Sequence, residues 1–288
     1  LFVSGSLDTV NHVVRIYWFG SDPDGAVSGF ELRFRNPSAP GDTDWVSTTR
    51  TDSTFTVQTP AGYAMPVFEV RALDDRGLRD PSPARQDFQF SNQAPVVTFA
   101  SRLRTNDTTY ASVTLDWNAS DADGNAAALR FLVGLDTIPS ALHLVTGTRR
   151  FTVDTTDFMV AGAYPPTQPR MAFIRAIDDG GRASAWDSVR WVVRAPSTLG
   201  QRPRLLVIDD VPNSGAGSEG NFRADTLWVN TAKRNLPAGS FSILRLEFTQ
   251  PFRSAKDLAQ TCKQFDAVLW YRDIRTSFFT PLRDLRWF

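Results

Sequence analysis

The sequence predicts a multidomain chain. Two all-β sandwiches span residues 1–92 and 93–196, a linker covers 197–203, and an α/β segment with a short parallel sheet fills 204–288. Three observations lead there. An acidic loop occurs twice, as "SDPDG" at 21–25 and "SDADG" at 120–124, each time just behind a tryptophan. The runs around each loop alternate apolar and polar residues with the period of a strand. After residue 203 the texture changes to strand, helix, strand, helix, strand.

The duplication extends past the loop. "IYWFGSDPDGAVSGFELRF" (16–34) matches "LDWNASDADGNAAALRFLV" (115–133), "FTV" at 55–57 returns at 151–153, and "VRALDDRG" (70–77) returns as "IRAIDDGG" (174–181). The offsets are 99, 96 and 104. A kept order with drifting offsets marks two copies of one domain whose loops differ in length. In the first copy Val14, Ile16 and Trp18 share one strand face. Phe30, Leu32 and Phe34 alternate with Glu31 and Arg33, and Phe68, Val70 and Ala72 with Glu69 and Arg71, so one face of that sheet is expected to be wet. Phe55 and Val57 supply a further strand, and turn clusters such as "NPSAPGD" (36–42) and "DPSP" (80–83) separate the runs. Trp117 is expected to be buried at the position equivalent to Trp18.

With Trp on the second strand, an alternating aromatic third strand and "FEVRALDDRG" on the sixth, each copy resembles the fibronectin type III domain. The resemblance covers about residues 8–195 and implies a sandwich of two facing sheets. The family's sixth-strand Tyr is replaced by Phe68 and Ala172, so its hydroxyl bond is lost in both copies. Such a fold hosts many unrelated roles, so the likeness bears on architecture more than on function.

In that fold the second-to-third and sixth-to-seventh connections emerge at one end of the sandwich. Asp22 and Asp24 are then expected near Asp74 and Asp75, and Asp121 and Asp123 near Asp178 and Asp179. Two readings stay open: a turn whose Asp side chains accept from the backbone and whose Gly takes a positive φ, or four carboxylates that hold calcium. An EF-hand is excluded. Gly20 and Ala119 stand where its first Asp belongs, Arg130 replaces the twelfth-position acid in the second copy, and strands flank the loops.

In the last part, "RLLVIDD" (204–210), "SFSILRLEF" (240–248) and "FDAVLWYRD" (265–273) read as strands. "NFRADTLWVNTAKRN" (221–235) reads as a helix with Phe222, Leu227 and Val229 or Trp228 inward. "SAKDLAQTCKQ" (254–264) reads as a second helix capped by Ser254, with Asp257 three positions on. The segment resembles the opening half of flavodoxin-like or glutamine-amidotransferase-like domains. It has no Gly-x-Cys-x-Gly elbow, and Cys262 is expected to be buried in its helix. Gly215, Gly217 and Gly220 match a dinucleotide-loop spacing, but the connection is long and Glu219 would face the phosphate. A surface loop is the expectation there. The chain ends with Arg272, Arg275, Arg283 and Arg286 interleaved with Phe278, Phe279, Trp287 and Phe288. That composition suits a partner interface.

Composition narrows the function classes. There are 31 basic and 31 acidic residues, which argues against nucleic acid as partner. Residues 1–200 carry 18 basic and 22 acidic groups, and 201–288 carry 13 and 9. One Cys and two His exclude an intrachain disulfide and Cys- or His-rich metal centres. No apolar run is long enough to span a membrane. The chain starts at Leu1 and reads as processed or as part of something longer. With no nucleophile–base–orienter set, the expectation is a non-enzymatic, extracytoplasmic scaffold that needs no cofactor apart from the calcium considered above and docks on other proteins of a membrane-associated complex. One form of it is a membrane-extrinsic clamp on a photosynthetic reaction-centre–antenna assembly, which no motif here specifies. The alternative is the non-catalytic front of an envelope hydrolase or protease whose active site lies beyond residue 288.

Overall fold

The computed structural model describes residues 2–3, 10–35, 44–100, 103, 107–136, 142–158, 167–196, 204–210, 218–246, 252 and 254–272. The first repeat contributes β1 (Phe2–Val3), β2 (Val10–Asn11), β3 (Val13–Tyr17), β4 (Val27–Arg35), β5 (Val46–Thr48), β6 (Asp52–Thr56), β7 (Tyr63–Ala64), β8 (Val67–Asp74), β9 (Ala84–Asp87) and β10 (Phe90–Ser91). One sheet runs β1-β3-β6, and the second runs β5-β4-β8-β9. A small third sheet, β2-β10-β7, joins Phe90 to Val10 in parallel and to Ala64 antiparallel.

The register puts Val14 opposite Phe55, Leu32 opposite Val70 and Phe34 opposite Phe68. The inward faces meet in one core of Val14, Ile16, Trp18, Phe30, Phe68, Val70 and Phe90, flanked by Phe34 and Phe55. Trp18 lies edge-on to Phe30 with centroids 6.5 Å apart and tilted against Phe68 at 5.7 Å, and Phe34 stacks on Phe55 at 5.0 Å. These are the offset and edge geometries that aromatic quadrupoles favour.

The face expected to be wet is not. Glu31 and Glu69 are both buried. Glu31 is gripped by Arg71 (2.6 Å) and Arg79 (3.0 Å), and Glu69 by Arg33 (2.5 Å) and Arg35 (2.7 Å). Trp45 roofs the array, with the guanidinium carbons of Arg33 and Arg71 at 4.4 and 4.2 Å from its ring centroid. Alternation identifies the polar face correctly. It does not reveal that arginines on adjacent strands shield the acids from water with their own stems.

The second repeat repeats the plan with β11 (Val96–Phe99), β12 (Thr108–Thr109), β13 (Val113–Ser120), β14 (Arg130–Leu135), β15 (His143–Thr146), β16 (Arg150–Val153), a one-turn α1 (Thr155–Phe158), β17 (Gln168–Ile177) and β18 (Asp187–Val193). Its sheets are β11-β13-β16 and β12-β18-β17-β14-β15. Val113, Leu115, Trp117, Val153, Ile174 and Trp191 are buried, and Trp18 and Trp117 are equally hidden at 2% exposure each. The two repeats are therefore two-sheet β-sandwiches with matching buried tryptophans. Phe68 and Ala172 both stand fully buried where the fibronectin type III family carries its tyrosine.

The last part forms β19 (Leu205–Asp210), α2 (Ser218–Asn235), β20 (Phe241–Arg245), α3 (Ala255–Cys262) and β21 (Ala267–Arg272). The strands make a parallel sheet in the order β20-β19-β21. Leu227, expected inside, is 58% exposed, while Trp228 stacks on Tyr271 at 6.5 Å. A helix that covers a three-stranded sheet buries only a narrow stripe. Cys262 packs beside the core of Leu206, Ile208, Leu244 and Leu258, and burial pushes its thiol up to about 11. The Ser254 cap forms as expected, its Oγ accepting from the Asp257 N–H at 3.1 Å.

Contacts group the described residues into two compact units: Leu1–Val97 with Ala119–Leu132 and Arg175–Trp186, and Thr98–Asn118 with Val133–Ile174 and Asp187–Phe288. The first sandwich thus shares a unit with the end loops of the second repeat. The body of the second repeat shares the other with the α/β segment. In that second unit Asp257, fully buried, accepts from the Thr114 N–H of β13 at 3.1 Å, and Ser254 Oγ lies 2.8 Å from Thr114 Oγ1. Gln260 bridges Ser112 (3.1 Å) and Asp154 (2.6 Å), and Tyr110 meets Phe265 edge-on at 5.1 Å. Helix α3 thus supplies an acceptor to β13, the central strand of the β11-β13-β16 sheet.

Candidate functional site

Both acidic loops are Asx turns. The Asp24 N–H donates to Asp22 Oδ1 at 3.2 Å, and the Asp123 N–H donates to Asp121 Oδ1 at 3.4 Å. The last acids of the sixth strand turn in the same way: Asp74 Oδ1 accepts from the Leu78 N–H (2.7 Å) and Asp178 Oδ1 from the Arg182 N–H (2.8 Å). Gly77 and Gly181 follow with φ of +81° and +85°, where a side chain would be strained. The same backbone device thus builds the end of each sandwich, and what surrounds the carboxylates then differs.

In the first repeat Asp22, Asp74 and Asp75 converge, with one oxygen from each lying within 4.8 Å of the others. A Cβ at Gly25 would stand 2.7 Å from Asp22 Oδ2 and 3.1 Å from Asp75 Oδ1, so only glycine lets the carboxylates fold over the turn. Asp24 engages through its N–H and lies outside this group. Asp22 and Asp74 also line an open hollow of about 210 Å³ together with Arg79 and Asp80. Water reaches this end: Asp22 and Asp74 are half-buried and Asp75 is exposed.

In the second repeat Asp121, Asp123 and Asp179 are half-buried and Asp178 is covered. Asp179 is drawn aside, its Oδ1 2.6 Å from Nε2 of the fully buried His12. Asp123 Oδ2 accepts from the Gln93 N–H at 2.8 Å, and the Gly180 carbonyl accepts from the Thr59 N–H at 2.7 Å. Arg182 donates to the Asn92 carbonyl. The imidazole fits because both neighbouring residues are glycines: a Cβ at Gly124 or at Gly180 would come within 3.2 Å of the ring. Asp178 is fully buried. Burial first, then a side-chain hydrogen bond with Asp123 and the charges of Asp123 and Asp178, hold the Asp121 carboxyl above its ordinary range. The expected quartet does not form here: among the described residues only the first repeat brings three acids within reach of one ion, and Asp179 pairs with His12.

The partner of Asp179 was not legible. His12 lies 167 residues away, and no spacing announces the contact. One trace does exist in the repeat itself, where Gly180 and Arg182 stand for Arg76 and Leu78 of the first copy. Chemically, His12–Asp179 is a base with its orienting acid, but a ring without solvent exposure reaches no substrate. Of the expected interface residues, Arg272 closes β21, and Arg275, Phe278, Phe279, Arg283, Arg286, Trp287 and Phe288 lie outside the described residues. Gly215 and Gly217 also lie outside them, and Gly220 falls in the first turn of α2. No helix among the described residues is long and apolar enough to cross a membrane.

No protein-family profile matches the chain, and no curated protein matches it. Among solved structures it is similar to the fibronectin(III)-like modules of Clostridium thermocellum CbhA, at 18% identity over 67% of this chain and 90% of that one, with a TM-score of 0.29. It is also similar to the FN1-FN3 domains of chicken CNTN1, at 13% identity over 65% of this chain and 64% of that one, with a TM-score of 0.25.

Proposed function

We propose that the chain is a non-enzymatic scaffold outside the cytoplasm. It holds other proteins of a membrane-associated complex at fixed spacing and docks through its C-terminal third. The supporting observation is that successive parts of the chain are joined by polar contacts. His12–Asp179, Gln93–Asp123 and Thr59–Gly180 close one junction. Asp257–Thr114 and Gln260–Asp154 close the next. Directional polar contacts tolerate few alternative arrangements, which suits a part whose task is to set distance. The α/β segment serves as docking platform, and the Arg- and aromatic-rich stretch 272–288 supplies anchors of the type found at interface centres.

Native gel separation of envelope complexes from cells that express the tagged full chain, or the chain without residues 273–288, tests this. The full chain is expected in a high-mass, membrane-bound band. The deleted chain is expected free, with its sandwiches folded by circular dichroism. A full chain that runs as a soluble monomer, or a deletion that leaves the band intact, overturns the reading.

A further inference from the structure

The polar face of the first sandwich carries more cations than its acids require. The outward positions of β4, β8 and β9, joined by Arg79, present Arg33, Arg35, Arg71, Arg79 and Arg85 against three acids. Residues 1–92 as a whole run the other way, with eight arginines and twelve acids. Most of the arginines of an acidic domain thus stand on one sheet face. Glu31 and Glu69 are each met by two arginines where one would neutralise the charge, and Asp87 is met by Arg85. Pairing the acids therefore explains only part of the array.

The array is also ordered in advance. The buried glutamates hold the guanidinium groups through Nε or Nη2 at 2.5 to 3.0 Å. The half-buried Trp45 ring holds Arg33 and Arg71 at 4.4 and 4.2 Å. A guanidinium has five N–H donors in a fixed fork, so one carboxylate does not exhaust it. Arg35, Arg79 and Arg85 remain 37%, 57% and 56% exposed. Side chains already fixed lose little further freedom when a partner binds.

We propose that this face docks an acidic segment of a partner protein, which brings two carboxylates to the arginines and an apolar side chain to Trp45. The excess on the face is two charges. Polyanions such as nucleic acids are held by many neutralised charges, whereas two carboxylates match this excess. The fork of arginine fits a carboxylate through two parallel bonds, and no lysine occurs in the first repeat to serve as a plain point charge. Arginine beside tryptophan is also the composition of interface centres. The inference is independent of the docking assigned to 272–288, which concerns another part of the chain.

Fluorescence anisotropy with the full chain and a labelled peptide, Gly-Glu-Ser-Leu-Ser-Glu-Gly, tests this. Saturable binding is expected. It should be lost with the peptide's glutamine counterpart and weaken severalfold between about 50 and 300 mM sodium chloride, because exposed charges are screened. Arg35→Gln combined with Arg79→Gln leaves one arginine on each buried glutamate and removes the excess. It should weaken binding at least about tenfold while circular dichroism shows the sandwich intact. Arg85→Gln keeps the test valid if that variant fails to fold, since its partner Asp87 is 63% exposed. It should weaken binding about threefold with melting unchanged. Arg15→Gln, on the opposite sheet beside Asp52, should bind as the wild type does. The inference fails if the wild type does not bind the glutamate peptide, or if the folded double variant or Arg85→Gln binds it unchanged. It also fails if Arg15→Gln weakens binding as much as the double variant. A sulfated oligosaccharide that binds more tightly than the peptide would make the face a glycan site and overturn it as well.

Discussion

Replacing Trp18 with alanine tests the packing of the first sandwich directly. The indole is 2% exposed and leans on Phe30 and Phe68 at 6.5 and 5.7 Å. A tryptophan buries about 200 Å², which at ~25 cal/mol per Å² corresponds to about 5 kcal/mol of transfer. Alanine keeps part of that, and the cavity left between the sheets adds to the loss. The indole N–H has no hydrogen-bond partner among the described residues, so its removal forfeits no bond there. The net expectation is about 3–5 kcal/mol. With a urea slope of about 2 kcal/mol/M, the first-sandwich transition should move down by about 2 M. Trp117→Ala should do the same to the second sandwich, and Trp18→Phe should recover at least half of the loss. Circular dichroism of the full chain in urea reads all three. A cost below about 1 kcal/mol at either tryptophan would refute the claim that the two sites are equivalent core positions.

Two further expectations concern stability. Hydrogen bonds, from Arg79 above all and then from Arg71, hold the Glu31 carboxyl below its ordinary 4.5, and Arg33 and Arg35 hold Glu69 below its own against the upward pull of burial. Both contributions are therefore complete above about pH 4.5 and are lost as the pH falls through the lowered folded values; Glu31→Gln should flatten the acid side of the melting-temperature profile between pH 5 and about pH 3, and an unchanged profile would show that Glu31 does not set it. Asp257→Ala leaves the buried Thr114 N–H without its acceptor and should cost about 1.5–3 kcal/mol in urea unfolding, with Asp257→Asn recovering most of it; a cost within error of zero would mean that α3 does not stabilise β13.

Much of the architecture was legible because it rests on periodicities. Val14, Ile16 and Trp18 alternate with polar residues, and they are the buried face of β3. Ser254 stands three residues before Asp257, and the cap forms. The acidic loops announced which ends of the sandwiches carry charge, since chain order in this fold brings those connections together. What stayed hidden depends on partners far away in sequence. Glu31 reads as a solvated acid until Arg71 and Arg79 arrive from 40 and 48 residues away. Leu227 reads as a core residue because helical spacing says which residues share a stripe, and not how wide a sheet that stripe has to cover.

The difference between the two acidic ends follows from two positions. Both ends keep the Asx turns and the positive-φ glycine, so the backbone is ready for either use. In the first copy Arg76 and Leu78 occupy the turn. In the second, Gly180 replaces the arginine, and Arg182 replaces the leucine. Any side chain at 180 would meet the Asn92 amide, Thr59 Oγ1 at 2.9 Å and the His12 ring at 3.2 Å, so the arginine of the first copy cannot be accommodated there. Arg182 in turn donates to the carbonyl of Asn92. One substitution opens the socket and the other bonds to its wall, while the carboxylates keep their turn positions. A turn that is a solvated rim in one copy thereby becomes, in the other, a socket that buries Asp178 and seats the His12 ring against Asp179.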